Sequence, residues 1–159
     1  MFTRKRKLGK TIDQLNVGDV FEQEKKIEDK DILLFLGFTD DSNPIYIQHD
    51  YASRTPFKKP IVPHIMLNGF VSSVISMNFP GPGSAILQQN LSFPKPLYHY
   101  GTFKLKATIT NLEKKEHKVY MAVTGKDEYD ETVLEGSLVV SPPYPWKPMT
   151  HDSGNFDNF

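Results

Sequence analysis

Asp40-Asp41-Ser42-Asn43-Pro44-Ile45-Tyr46 opens a stretch that runs through His49, Tyr51-Ala52 and Phe57-Lys58-Lys59-Pro60-Ile61-Val62-Pro63 to His64-Ile65-Met66-Leu67 and Phe70. Acidic, amide and phenolic groups gather at Asp41, Asn43 and Tyr46. Pro44, Pro56, Pro60 and Pro63 disfavour a long helix or a central strand before His64, because proline lacks a backbone N–H and clashes with the preceding turn. The pattern then switches. Residues 64–79 contain no proline and are apolar almost all round, with Ile65, Met66, Leu67, Phe70, Val71, Val74, Ile75 and Met77. That pattern predicts a central buried helix. A stiff loop feeding the start of such a helix suits chemistry: free N–H groups there can hold an oxyanion, and a nearby carboxylate can move a proton.

Working outward, Gly18-Asp19 introduces a strand over residues 20–27. Asp29 is the expected N-cap of a helix over 30–38, and a short helix is expected around 49–54. Pro80-Gly81-Pro82-Gly83 ends the central helix. Beyond it the period becomes two: Phe103, Leu105, Ala107 and Ile109 alternate with Lys104, Lys106, Thr108 and Thr110. Strands over 84–93, 101–112, 119–129 and 132–140, the last three joined by short polar turns, predict an antiparallel meander. The fold class is therefore α+β, a curved antiparallel sheet wrapped around one long helix. Residues 1–10 read as a flexible arm, 11–142 as the domain and 143–159 as a proline-rich tail without fixed structure. An open sheet edge makes a homodimer the expected assembly.

Composition narrows the function. Lys+Arg and Asp+Glu balance at 19 each, which gives no electrostatic footprint for nucleic acid. The chain has no cysteine, hence no disulfide framework or thiolate nucleophile, as suits a reducing cytoplasm. No apolar run reaches the roughly 18 residues of a membrane span. The basic run Arg4-Lys5-Arg6-Lys7 lacks the apolar segment of a signal peptide. No His, Asp or Glu spacing suggests a metal site, and no cofactor is expected.

Several of these motifs, in this order, resemble the MaoC-like hot-dog family of (R)-specific enoyl-CoA hydratases and acyl dehydratases. The family pattern D-x-N-P-I/L-H reads Asp41-Ser42-Asn43-Pro44-Ile45-Tyr46 here, followed by Tyr51-Ala52. The later F-x-x-P-I-V/A-H-G-M-L reads Phe57-Lys58-Lys59-Pro60-Ile61-Val62-Pro63-His64-Ile65-Met66-Leu67. Gly83-Ser84, Leu91-Ser92-Phe93 with Pro96, and Val133-Leu134-Glu135-Gly136 extend the match over residues 12–141. The resemblance implies a hot-dog fold and a substrate that is a trans-2-enoyl or 3-hydroxyacyl thioester of CoA or acyl carrier protein. It also implies a carboxylate and an imidazole sharing one water, backbone N–H groups holding the thioester oxygen, an acyl chain along the sheet, and a CoA or carrier-protein arm leaving through a dimer interface.

Two positions depart from that pattern. The family's imidazole position is Tyr46, and a phenol with a pKa near 10 is a poor base at neutral pH. The family's glycine is Ile65, with Pro63 as an added residue, so a β-branched side chain stands where substrate approaches the backbone. The expected site is Asp41, Tyr46 and His64 for catalysis, and Asn43, Ile65, Met66 and Ser92 for substrate binding. His49 is a second source of imidazole. Three functions stay open: a hydratase or dehydratase, a non-catalytic acyl-CoA-binding protein, and a thioesterase in which Asp41 activates water.

Overall fold

The computed structural model of the protein describes residues 7–145. After a 3-10 turn at Ile12–Gln14, the elements are β1 (Val20–Lys26), α1 (Asp29–Thr39), α2 (Pro44–Ile47), α3 (His49–Ala52), α4 (His64–Met77), β2 (Ala85–Ser92), β3 (Thr102–Glu113), β4 (Lys118–Lys126) and β5 (Thr132–Ser141). The strands form one five-stranded sheet in the order β1-β3-β4-β5-β2, antiparallel throughout. The meander β3-β4-β5 makes its centre, and the two earlier strands make its edges. Among the described residues no helix is long and apolar enough to cross a membrane.

Helix α4 carries the core. Met66, Leu67, Val71, Val74 and Ile75 are buried from it. They pack with the alternating inner residues Phe103, Leu105, Ala107 and Ile109 of β3 and with Leu138 and Val140 of β5. This is the expected wrapping of a sheet around an apolar helix. Two local expectations are corrected. Asp29 is the first residue of α1 rather than its cap. The capping residue is Glu28, whose N–H donates to the Asp31 carboxylate at 2.9 Å. The chain also forms the one-turn helix α2, which the proline-rich pattern did not suggest; Pro44 at its first position needs no N–H partner there.

Both flanks reach the loop after α4. Gly9 and Lys10 lie in the expected arm, yet their N–H groups donate to the carbonyls of Pro82 and Pro80, each at 2.9 Å. Position 9 admits only glycine, since a Cβ would lie 2.3 Å from the Pro80 oxygen. On the other side Pro143 lies over Gly83, where a Cβ would stand 2.7 Å from that of Pro143. Tyr144 stacks on His117 with ring centroids 3.8 Å apart, and His117 Nε2 is 2.7 Å from the Pro142 carbonyl. Pro143 and Tyr144 of the expected tail are thus packed on the domain. The rest of that tail, and residues 1–6, lie outside the described residues.

Candidate active site

The segment between α1 and α4 is built from side-chain turns. Helix α1 stops where Asp40 turns left-handed at φ 55°, a conformation that Asp tolerates better than most residues. Thr39 Oγ1 donates to the Phe35 carbonyl at 2.7 Å and accepts the Asp41 N–H at 3.3 Å. Asp41 Oδ1 accepts the Asn43 N–H at 3.3 Å, and Asn43 Oδ1 accepts the Ile45 N–H at 3.1 Å. These successive Asx turns hold the Asp41 carboxylate at the mouth of α2. They leave Oδ2 without a hydrogen bond among the described residues.

Asp41, Tyr46, His64, Ile65, Asn68, Gln89, Leu91 and Phe93 line one cavity of about 450 Å³ at the start of α4. All three expected catalytic residues meet there. The Tyr46 hydroxyl is pushed above its ordinary pKa, first by burial and then by the Asp41 charge, so it stays protonated and can donate a hydrogen bond. Burial lowers the His64 pKa, so its imidazole favours the neutral form. His64 Nδ1 is buried and has no hydrogen-bond partner among the described residues. Its ring packs on Phe93 with centroids 4.7 Å apart, tilted by 31°. A buried ring nitrogen without a partner is costly in a finished core and useful beside a ligand.

Backbone donors complete the arrangement. Pro63 caps α4 and supplies no side-chain acceptor. Among the described residues, the N–H groups of His64 and Ile65 take no hydrogen bond, whereas that of Met66 donates to the Pro63 carbonyl at 3.0 Å. The free donors are therefore His64 and Ile65.

The expected binding residues divide. Ile65 lines the cavity and is exposed. Met66 is corrected to a core residue: its side chain is buried and its N–H is spent. Asn43 is corrected to a capping residue outside the cavity lining. Ser92 faces the other way. It pairs with the exposed Glu135, and its Oγ donates to the Glu135 carbonyl on the outer side of the sheet. His49 is exposed at the start of α3 and takes no part in the cavity. Asn68 and Gln89 were not expected. The signal for Asn68 was an amide in an apolar helix, one turn after His64 and on its face. Among the described residues no three His, Cys, Asp or Glu side chains form a metal-binding group.

Comparison with known proteins fits this geometry. The model of the MaoC-like domain matches residues 14–132. The chain belongs to the MaoC-like family. This MaoC-like chain is 36% identical over 123 residues to an (R)-specific enoyl-CoA hydratase of Rhodospirillum rubrum, covering 75% of the chain and 82% of that protein. It is 30% identical over 131 residues to a 3-hydroxybutyryl-CoA dehydratase of Methylorubrum extorquens, covering 82% of the chain and 83% of that protein. Among solved structures, an R-hydratase from Pseudomonas aeruginosa superposes with a TM-score of 0.79 at 25% identity, covering 89% of this chain and 96% of the other. The (R)-hydratase from A. caviae gives 0.77 at 25% identity, covering 81% and 98%. The hot-dog fold expected for the MaoC-like chain is the observed one.

Proposed function

We propose that this MaoC-like protein adds water to a trans-2-enoyl thioester, or removes it from the 3-hydroxyacyl thioester, with CoA as the carrier. The observation that carries this reading is the convergence of Asp41, Tyr46 and His64 on one cavity at the start of α4. A carboxylate and a neutral imidazole are two proton acceptors, and the Tyr46 hydroxyl is a donor. A water held among them loses a proton to one acceptor as its oxygen bonds to C3 of the substrate. Electron density moves to the thioester oxygen, where the N–H groups of His64 and Ile65 can stabilise the enolate, each such donor being worth roughly 2.7–4 kcal/mol. A proton then returns to C2, which restores the acceptors. The imidazole comes from α4 rather than from the position that Tyr46 fills. The names of the relatives support the same reaction and the same substrate class.

Tyr46 itself favours a second reading, an acyl-CoA-binding protein without turnover. One experiment separates the two: crotonyl-CoA is followed by loss of its enoyl absorbance, with thiol release measured in parallel. Hydration gives absorbance loss without thiol, and a thioesterase gives thiol. Asp41→Asn and His64→Gln should each lower kcat by about 10²-fold or more while the protein stays folded. Unchanged turnover in either variant removes that residue from the chemistry. Thermal stabilisation by butyryl-CoA with no turnover of crotonyl-CoA establishes the binding reading.

We also propose a homodimer joined through β2. Edge strand β1 carries Glu22, Glu24, Lys25 and Lys26, charges that deter pairing, whereas edge strand β2 carries none from Ala85 to Ser92. Leu87 of β2 and Ile65 of α4 are 54% and 57% exposed, an apolar surface that a second copy would cover.

A further inference from the structure

A second groove of about 480 Å³ runs between α4 and β2, lined in part by Gly69, Ser72, Ile86 and Leu87. It shares Ile65, Asn68 and Gln89 with the Asp41 cavity, so these residues stand where the two spaces meet. Asn68 interrupts an apolar helix. Gln89 is placed by a bulge in β2. Ile86 pairs with Val140 and Gln88 with Val139, so Leu87 is the extra residue and the alternation of faces changes there. Gln89 consequently pairs with Leu138, which is buried on the inner face of the sheet. It occupies a row that Leu91 and Phe93 continue as apolar lining. In a lining that mixes Ile65, Ile86 and Leu91 with the polar Ser72 and Gln88, Asn68 is thus half-buried and Gln89 exposed. Neither side chain has a hydrogen-bond partner among the described residues. A ligand that covers these amides must pair with them, because an amide covered by an apolar ligand loses its water without replacement.

We propose that Asn68 and Gln89 are specificity-determining residues that recognise an amide or carbonyl group of the thioester ligand, a few bonds from the reacting carbons. This rests on the acyl-thioester reading above. Carboxamides offer a donor and an acceptor each, which matches a ligand amide in both directions. Such a group comes either from the pantetheine arm or from a polar acyl tail. The two sources lie on opposite sides of the reacting carbons and are told apart by substrate choice.

The test compares the wild type with Asn68→Leu/Gln89→Met, and with each single variant in case the pair fails to fold. Three crotonyl-type substrates are used: crotonyl-CoA, the S-propyl thioester that lacks every amide, and an enoyl-CoA whose tail ends in a carboxamide. Recognition of the arm lowers the kcat/KM ratio of crotonyl-CoA to the S-propyl thioester about 10-fold for each amide lost. Recognition of a tail leaves that ratio in place and lowers the ratio of the carboxamide-tailed substrate to crotonyl-CoA by a similar factor. Both ratios unchanged overturn the proposal, and a shift in association state alone would assign the amides to contact between copies and overturn it too. Calorimetry with butyryl-CoA gives a readout independent of turnover. Weaker binding in the variants without wild-type turnover keeps the proposal and removes hydration. Absence of wild-type binding and turnover overturns both.

Discussion

On the proposed mechanism, His64 sets how the site responds to pH. Burial holds its pKa below the ordinary 6.5, so the neutral ring persists into mildly acidic solution. If it accepts the water proton, kcat/KM should keep its plateau through pH 6.5 and fall only as the folded-state pKa is passed. A pH–rate profile shows this, and His64→Gln should abolish that limb; a limb that survives the substitution assigns the titration elsewhere. Stability carries the same sign. The unfolded chain takes up its proton near pH 6.5 before the folded one does, so this contribution is present above that pH and is lost as pH falls through the folded value. At this scale the sequence was partly legible. Asp41 and Tyr46 could be placed from their motif, because Asx turns are local devices. The unpartnered Nδ1 of His64 depends on neighbours distant in the chain, above all Phe93. The inward turn of Gln89 depends on a bulge that no alternation of residue types announces.

Among the elements, the smallest has the largest hold on the site. Helix α2 is four residues long, and its cap is a single side chain, Asn43. Asn43→Ala should cost about 1 kcal/mol, within the usual range of 0.5–2 for a lost cap, and should also reduce kcat, since the Asp41 carboxylate is held by the same turn. Thermal unfolding and turnover measured together check this, with Asn43→Asp, which keeps the cap, expected to recover most of both. Loss of stability with full turnover would show that Asp41 holds its place without the turn. The long elements were legible because α4 and β3 carry unbroken periodicity. Helix α2 was not, since Pro44 reads as a breaker until it is seen to occupy a first helical position. The cap of α1 shifted to Glu28 because the Asp31 carboxylate, three residues on, accepts the Glu28 N–H, a partner that Asp29 read alone does not reveal.

For the whole molecule, the meander followed from three strands with short turns. The places of β1 and β2 at the two edges did not, because their partners are distant in sequence and nothing local specifies them. Those edges differ in charge, which gives the assembly its test. Leu87→Lys puts a charge on the uncharged edge and should turn the proposed dimer into a monomer in sedimentation velocity, with little loss of monomer stability, since Leu87 is already exposed. An unchanged sedimentation coefficient would move the interface away from β2, and a monomeric wild type would remove it. The meeting of Gly9, Pro82 and Pro143 at the far end of α4 has a practical consequence. Helix α4 spans 14 residues, a rise of about 21 Å. Gly9 and Pro143 therefore lie side by side, at the end of α4 opposite the candidate site. Such a scaffold lends itself to circular permutation, and a fusion partner attached at either flank would start well clear of arriving substrate.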